Sequence, residues 1–153
     1  MQVSEAMSSD VKIANPKQTI REAAAMMAEI DAGALPVGEN DRLVGMITDR
    51  DIAIRAVAAG KGPDTPVRDI MSKEVSYCFQ DDDVDDAAEI MSDAKLRRLP
   101  VLSRAKRLVG IVSLGDIAMV DGPANAGEAL CGISEPGGLH SQSLDGGRAR
   151  ASR

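Results

Sequence analysis

Two stretches of the chain carry residue types that can hold a ligand: Gly45-Met46-Ile47-Thr48-Asp49-Arg50-Asp51 and Gly110-Ile111-Val112-Ser113-Leu114-Gly115-Asp116. Each runs glycine, two apolar residues, a hydroxyl residue, two variable positions and an aspartate. In such a pattern an apolar strand ends, a hydroxyl stands where the chain leaves it, and a carboxylate falls on the first turn of the helix that begins there. Free N–H groups at a helix start, with a hydroxyl beside them, suit a phosphate, and an acceptor carboxylate suits the paired hydroxyls of a ribose. The chemistry described is that of a nucleoside phosphate. The same spacing also caps an ordinary helix, so one occurrence leaves both roles open; here it occurs twice.

Residues for catalysis are missing from the expected core. His140, the one histidine, falls in a Gly-, Ser- and Ala-rich tail, so neither a Ser-His-Asp triad nor a Cys-His pair can be assembled. No phosphate-loop, dinucleotide-loop or zinc-hydrolase motif occurs. Cys78 alternates with Tyr77 and Phe79 in an expected strand, which points to a buried, inert thiol, whereas Cys131 lies in the tail and is expected to be accessible. Neither has a Cys or His at metal-ligand spacing, so no disulfide framework or zinc site is expected. The expectation is a protein that is not an enzyme.

Composition narrows the partners. The net charge is −6 and aromatic residues make up 1% of the chain, so nucleic acid is a poor partner and stacking platforms for bases are nearly absent. With 44% hydrophobic and 27% charged residues, the chain reads as globular. No apolar run approaches the ~20 residues that span a bilayer. The opening MQVSEAMSSDVK lacks a basic and apolar leader, and the expected location is cytoplasmic.

The elements that must position the two stretches also come in duplicate. An offset of 64 residues relates Val3-Ser4-Glu5-Ala6-Met7-Ser8 to Val67-Arg68-Asp69-Ile70-Met71-Ser72, and Leu35-Pro36-Val37 to Leu99-Pro100-Val101. After the Pro-Val the offset becomes 65, relating RLVGMITDRDIA (42–53) to RLVGIVSLGDIA (107–118), so the second copy has one extra residue in its turn. Within the first copy, Thr19 and Glu22 form a capping box, and Ile20, Ala23, Ala24, Met27 and Ile30 recur at helical spacing up to Gly33. In the second, Asp83 takes the cap, with Asp86 in the first turn. Leu35-Pro36-Val37 and Leu43 to Ile47 then read as strands around a polar turn, and a second helix starts at Asp49 and stops at Gly60. One such copy has too little apolar surface to stand alone. The expected division is 1–60 for the first copy, 61–66 as linker, 67–120 for the second and 121–153 as a mobile tail, in which only Gly127 to Ile133 has the makings of a helical turn.

This doubled pattern of helix, LPV and R-LVG-h-h-(S/T)-x-x-DI resembles a tandem of cystathionine β-synthase (CBS) domains, called a Bateman module, over residues 3–120. It is similar to small bacterial two-CBS proteins described as hypoxic-response or stress-associated. The resemblance implies an α+β fold of two pseudo-symmetric β-α-β-β-α repeats packed sheet to sheet, with clefts that take AMP, ADP, ATP, NADH or S-adenosylmethionine. Carried over residue by residue, it implies that Asp116 holds a ribose, Ser113 approaches phosphate and Ile111 lines an adenine pocket, with backbone near Lys12 and Ala34. In the other cleft Asp51, Thr48 and Met46 take these parts, with backbone near Ser76. Arg97 and Arg98 stand where phosphates are gripped in such proteins, a task for which Arg is well suited.

The first copy has Gly33-Ala34 where the second has the two arginines, so the clefts are not equivalent. The acidic run Asp81-Asp82-Asp83 reads as a solvated turn and cap. Two functions follow: a regulatory module that senses an adenosine-containing ligand, or an interaction module in which the motif is only a cap. Ile52, Ala53 and Val57, with Ile117 and Ala118, are expected to supply a self-complementary face for a homodimer. No residue pattern names a regulated protein.

Overall fold

The computed structural model describes residues 1–136. In chain order its elements are α1 (Val3–Ala6), α2 (Ile20–Ile30), β1 (Ala34–Glu39), β2 (Arg42–Thr48), α3 (Asp49–Asp51), a π-helical stretch Ile52–Val57 and a 3-10 turn Val67–Asp69. They are followed by β3 (Cys78–Phe79), α4 (Val84–Ala94), β4 (Arg98–Leu102), β5 (Leu108–Ser113), α5 (Leu114–Asp121) and α6 (Pro123–Ser134).

The compact units cut across the sequence repeat. One contains 1–9, 76–102 and the described chain from 109 onward; the other contains 10–75 and 103–108. Each unit thus joins segments of both sequence copies, and glycine explains the exchange. Gly45 in β2 lies against Met71 and Ser72, while Gly110 in β5 lies against Met7 and Ser8. Each copy's leading Val-x-x-x-Met-Ser segment thus docks on the strand of the other copy. The bridges are backbone pairs: Met46 with Ser72 in one unit, Ile111 with Ser8 in the other.

In the first-copy unit, Thr19 Oγ1 accepts the Glu22 N–H at 3.1 Å, as the capping box requires. Helix α2 ends at Asp31, whose left-handed φ of 54° terminates it before Gly33; a short polar side chain tolerates this conformation. The linker is structural: carbonyls of Thr65 and Pro63 accept the N–H groups of Ile20 and Arg21 at 2.9 and 3.1 Å, serving donors that a helix start leaves open. Strands β1 and β2 pair antiparallel from Ala34 opposite Thr48 to Glu39 opposite Arg42. Asn40 and Asp41 turn the hairpin at φ of 55° and 63°. Leu35, Val37 and Ile47 enter the core beside Ala23, Val67 and Ile70.

In the second-copy unit, β3 runs parallel to β4, and β4 neighbours β5. Leu99, Val101 and Val112 pack with Met91, Val3 and Ile117. Asp83 caps α4 by accepting the Asp85 N–H at 2.9 Å. That bond, followed by the Met1 ammonium, holds its carboxyl below the usual carboxylate range. Asp82 accepts the Phe79 N–H at 2.9 Å, so the acidic run is a turn and cap. Cys78 is buried, and burial pushes its thiol up to about 12.

The tail differs from expectation over its first part. Gly122 takes φ of 90°, Pro123 opens the next helix, and α6 packs against α4 and α5 with Ala126 and Ala129 buried. Small residues permit this approach: Gly132 lies against Ser92, and Lys95 Nζ donates to the carbonyl of Gly132 at 3.2 Å, at the end of the helix where cations are favoured. Cys131 on α6 is exposed. His140 and the rest of the expected tail lie outside the described residues. Of the residues expected at a dimer face, Ile117 is buried, Ile52 and Ala118 are half-buried, and Ala53 and Val57 are exposed; Ile54, Met119 and Val120 are exposed as well. No helix among the described residues is long and apolar enough to cross a membrane.

Candidate functional site

Strand β2 hands over to α3 at Thr48, and β5 hands over to α5 at Ser113. The two junctions are superimposable in their bonding. Thr48 Oγ1 accepts the Asp51 N–H at 3.0 Å, and Asp51 Oδ2 accepts the Thr48 N–H at 3.0 Å. Ser113 Oγ accepts the Asp116 N–H at 3.0 Å, and Asp116 Oδ2 accepts the Ser113 N–H at 2.9 Å. Both motifs are therefore full capping boxes. Yet capping uses only part of each group. The hydroxyl protons of Thr48 and Ser113 and the Oδ1 atoms of Asp51 and Asp116 have no partner among the described residues, and all four residues are half-buried. A donor and an acceptor are thus left at the start of each helix.

The glycine of the motif has a packing reason. A Cβ on Gly45 would stand 2.8 Å from the Ser72 carbonyl oxygen, and one on Gly110 2.8 Å from that of Ser8. Ser72 and Ser8 flank the sites through the strand edges opposite the hairpin partners, and sequence reasoning passed over both. Their signal was present in the repeated Val-x-x-x-Met-Ser.

The junctions differ on their other border. Asp49 N–H donates to the Gly33 carbonyl at 2.9 Å, and in the second copy Leu114 N–H donates to the Arg97 carbonyl at 2.9 Å. A Cβ on Gly33 would meet the Asp49 carboxylate at 2.8 Å, so the first copy has a carboxylate where the second has an apolar Leu114 beside an arginine. Arg97 and Arg98 are exposed and make no ion pair among the described residues. Ala34 is the strand partner of Thr48, and Lys12 is exposed in the same unit. Ser76 groups with the second-copy unit. Met46 and Ile111 are half-buried on β2 and β5.

The profile of the CBS domain matches residues 3–57 and 67–121. The chain belongs to the CBS-domain family. Its α+β fold is that of a CBS pair, a Bateman module. It is 42% identical over 133 residues to the CBS domain-containing protein YhcV of Bacillus subtilis, covering 86% of this chain and 94% of YhcV. Among solved structures it is similar to the CBS pair of protein MJ0100 in complex with 5′-methylthioadenosine and S-adenosyl-L-methionine, at a TM-score of 0.72 and 32% identity over 80% of this chain and 96% of that one. It also resembles the CBS-domain protein PAE2072 of Pyrobaculum aerophilum complexed with AMP, at a TM-score of 0.70 and 28% identity over 76% and 90% of the two chains.

Proposed function

We propose that this CBS pair is a non-enzymatic regulatory module that binds an adenosine-containing ligand of the AMP, ADP or ATP class, NADH or S-adenosylmethionine. The observation that carries this reading is the uncommitted half of each capping box: one carboxylate oxygen and one hydroxyl proton, repeated in both copies. Helix capping needs neither. An acceptor suits ribose hydroxyls, and a donor beside a helix start suits phosphate. Complexes of MJ0100 and PAE2072 with adenosine compounds support the same choice. On this reading Asp116, Ser113 and Ile111 hold ribose, phosphate and adenine at one site, with Arg97 and Arg98 toward the phosphates. Asp51, Thr48 and Met46 do so at the other. Lys12, Ala34 and Ser76 contribute backbone.

A second reading rests on the completeness of the capping boxes: an interaction module whose aspartates only secure helices. The two part in a thermal-shift screen. A ligand at one hundred times its dissociation constant stabilises the chain by ~2.7 kcal/mol, and Asp116→Ala removes most of that increment. If AMP, ADP, ATP, NADH and S-adenosylmethionine all leave both proteins unshifted, the interaction module is correct. We also place this module in the cytoplasm as a homodimer, with Ile54, Val57, Met119 and Val120 as its exposed apolar residues. Light scattering that returned 16.1 kDa at high concentration would refute the dimer.

A further inference from the structure

A groove of about 590 Å³ opens on the first-copy unit, lined by Arg55, Lys61, Arg68, Lys73, Asp69 and Glu74 together with Met71 and Ser72. Four cations face two carboxylates there, in a chain of net charge −6. None of the four forms an ion pair among the described residues, and the one side-chain hydrogen bond they make is a long one, from Arg55 Nη1 to the Met71 carbonyl at 3.4 Å. The cations are therefore not held in place by neutralising partners.

The second-copy unit serves as an internal control. By the repeat offsets Arg55 corresponds to Val120, Arg68 to Ser4 and Lys73 to Ser9. That unit builds the same docking segment, the same glycine contact and the same capping box without any of these three charges. Folding of a unit does not require them. The groove also borders the junction already described. Ser72 pairs with Met46 on the edge of β2 opposite β1, and Arg55 stands one helical turn beyond Asp51. Asp49 guards the Gly33 border against an anion, which leaves the Ser72 border as the approach for one.

We infer that this groove receives the phosphate chain of the ligand bound at Thr48 and Asp51, so that the first-copy site selects phosphorylated adenosine compounds. This rests on the adenosine reading above for the nucleoside, and on the groove alone for the phosphates. Clustered cations without partners recognise phosphate through charge-assisted bonds, which weaken as salt rises.

Calorimetry on the full chain tests it with adenosine, ATP and inorganic tripolyphosphate, for the wild type and for a chain carrying Arg68→Gln and Lys73→Gln, neither of which removes a hydrogen bond. The expected result is a loss of at least about tenfold in affinity for ATP and tripolyphosphate, with adenosine unchanged. Equal weakening of adenosine and ATP, or unchanged ATP binding, overturns the inference. So does control of ATP affinity by Arg97→Gln and Arg98→Gln alone. Tripolyphosphate binding lost in the variant, with no adenosine compound bound by either protein, keeps the groove as an anion site and overturns the nucleoside. Adenosine binding with no response to ATP's phosphates or to tripolyphosphate leaves the proposed function standing and refutes the groove.

Discussion

Gly110→Ala isolates the contact on which the exchange of segments depends. The added Cβ would meet Met7 Sδ at 2.7 Å and the Ser8 carbonyl oxygen at 2.8 Å. The sulfur ends a flexible side chain and can turn away. The carbonyl cannot, because Ser8 is bonded on both sides: its N–H donates to the Ile111 carbonyl at 2.8 Å, and its own carbonyl accepts the Ile111 N–H at 2.9 Å. Relief must come from stretching that pair or shifting β5, the kind of overpacking that costs about 1–3 kcal/mol. For a chain of this length each kcal/mol moves the melting temperature by roughly 2–4 °C, so thermal unfolding followed by circular dichroism should show a fall of about 2–12 °C. Adding Met7→Ala removes the sulfur and leaves the carbonyl, so it should not restore the loss. A Gly110→Ala chain as stable as the wild type, or one rescued by Met7→Ala, would show that the carbonyl contact does not fix the segment.

Thr19→Ala removes the hydroxyl that accepts the Glu22 N–H and should lower stability by about 1 kcal/mol in urea unfolding, whereas an unchanged midpoint would assign the helix start to the Thr65 and Pro63 carbonyls alone. In the native chain at pH 8 a thiol reagent should modify Cys131 and spare Cys78, and two thiols reacting at equal rates would contradict the burial of β3. Because the folded thiol of Cys78 ionises only at about 12 and its ordinary value is 9.0, the unfolded chain binds fewer protons between those values, so stability should fall as pH rises through that window. Cys78→Ala should flatten that part of the profile, and an identical slope in both proteins would assign it to other groups. Ending the chain at Asp121 uncovers the faces of α4 and α5 that bury Ala126 and Ala129, and should lower the melting temperature; equal stability would make α6 dispensable.

The sequence is most legible where local chemistry and the repeat agree. Thr19 with Glu22, Asp83 and both (S/T)-x-x-D stretches form the caps their spacing calls for, since a cap is decided within four residues. The strands around Asn40 and Asp41 follow for the same reason. What could not be read locally depended on distant packing. Nothing in Val3-Ser4-Glu5-Ala6-Met7-Ser8 says that it docks on Gly110 rather than on the copy it opens; that follows only once Gly45 and Gly110 are seen pressed against the two Met-Ser pairs. Helix α6 escaped because Pro123-Ala-Asn-Ala-Gly has the composition of a tail. Its small residues turn out to be what permits a close approach to Ser92.

The basic groove was illegible for a related reason: Arg55, Lys61, Arg68 and Lys73 are scattered over a helix, a linker and a docking segment, and only the exchange of segments gathers them. Comparing residues by repeat offset then separates what the fold needs from what a site needs. Residues alike in both copies, Gly45 with Gly110 and Asp51 with Asp116, serve folding as well as any ligand, so their substitution always mixes the two effects. Residues present in one unit alone, Arg97 in the second-copy unit and Arg68 and Lys73 in the first-copy unit, are free of that structural duty. It is at these unlike positions that a difference in ligand between the two sites has to originate. A chain with Arg97→Gln should therefore lose affinity only at the site of Ser113 and Asp116, and one with Arg68→Gln and Lys73→Gln only at the site of Thr48 and Asp51.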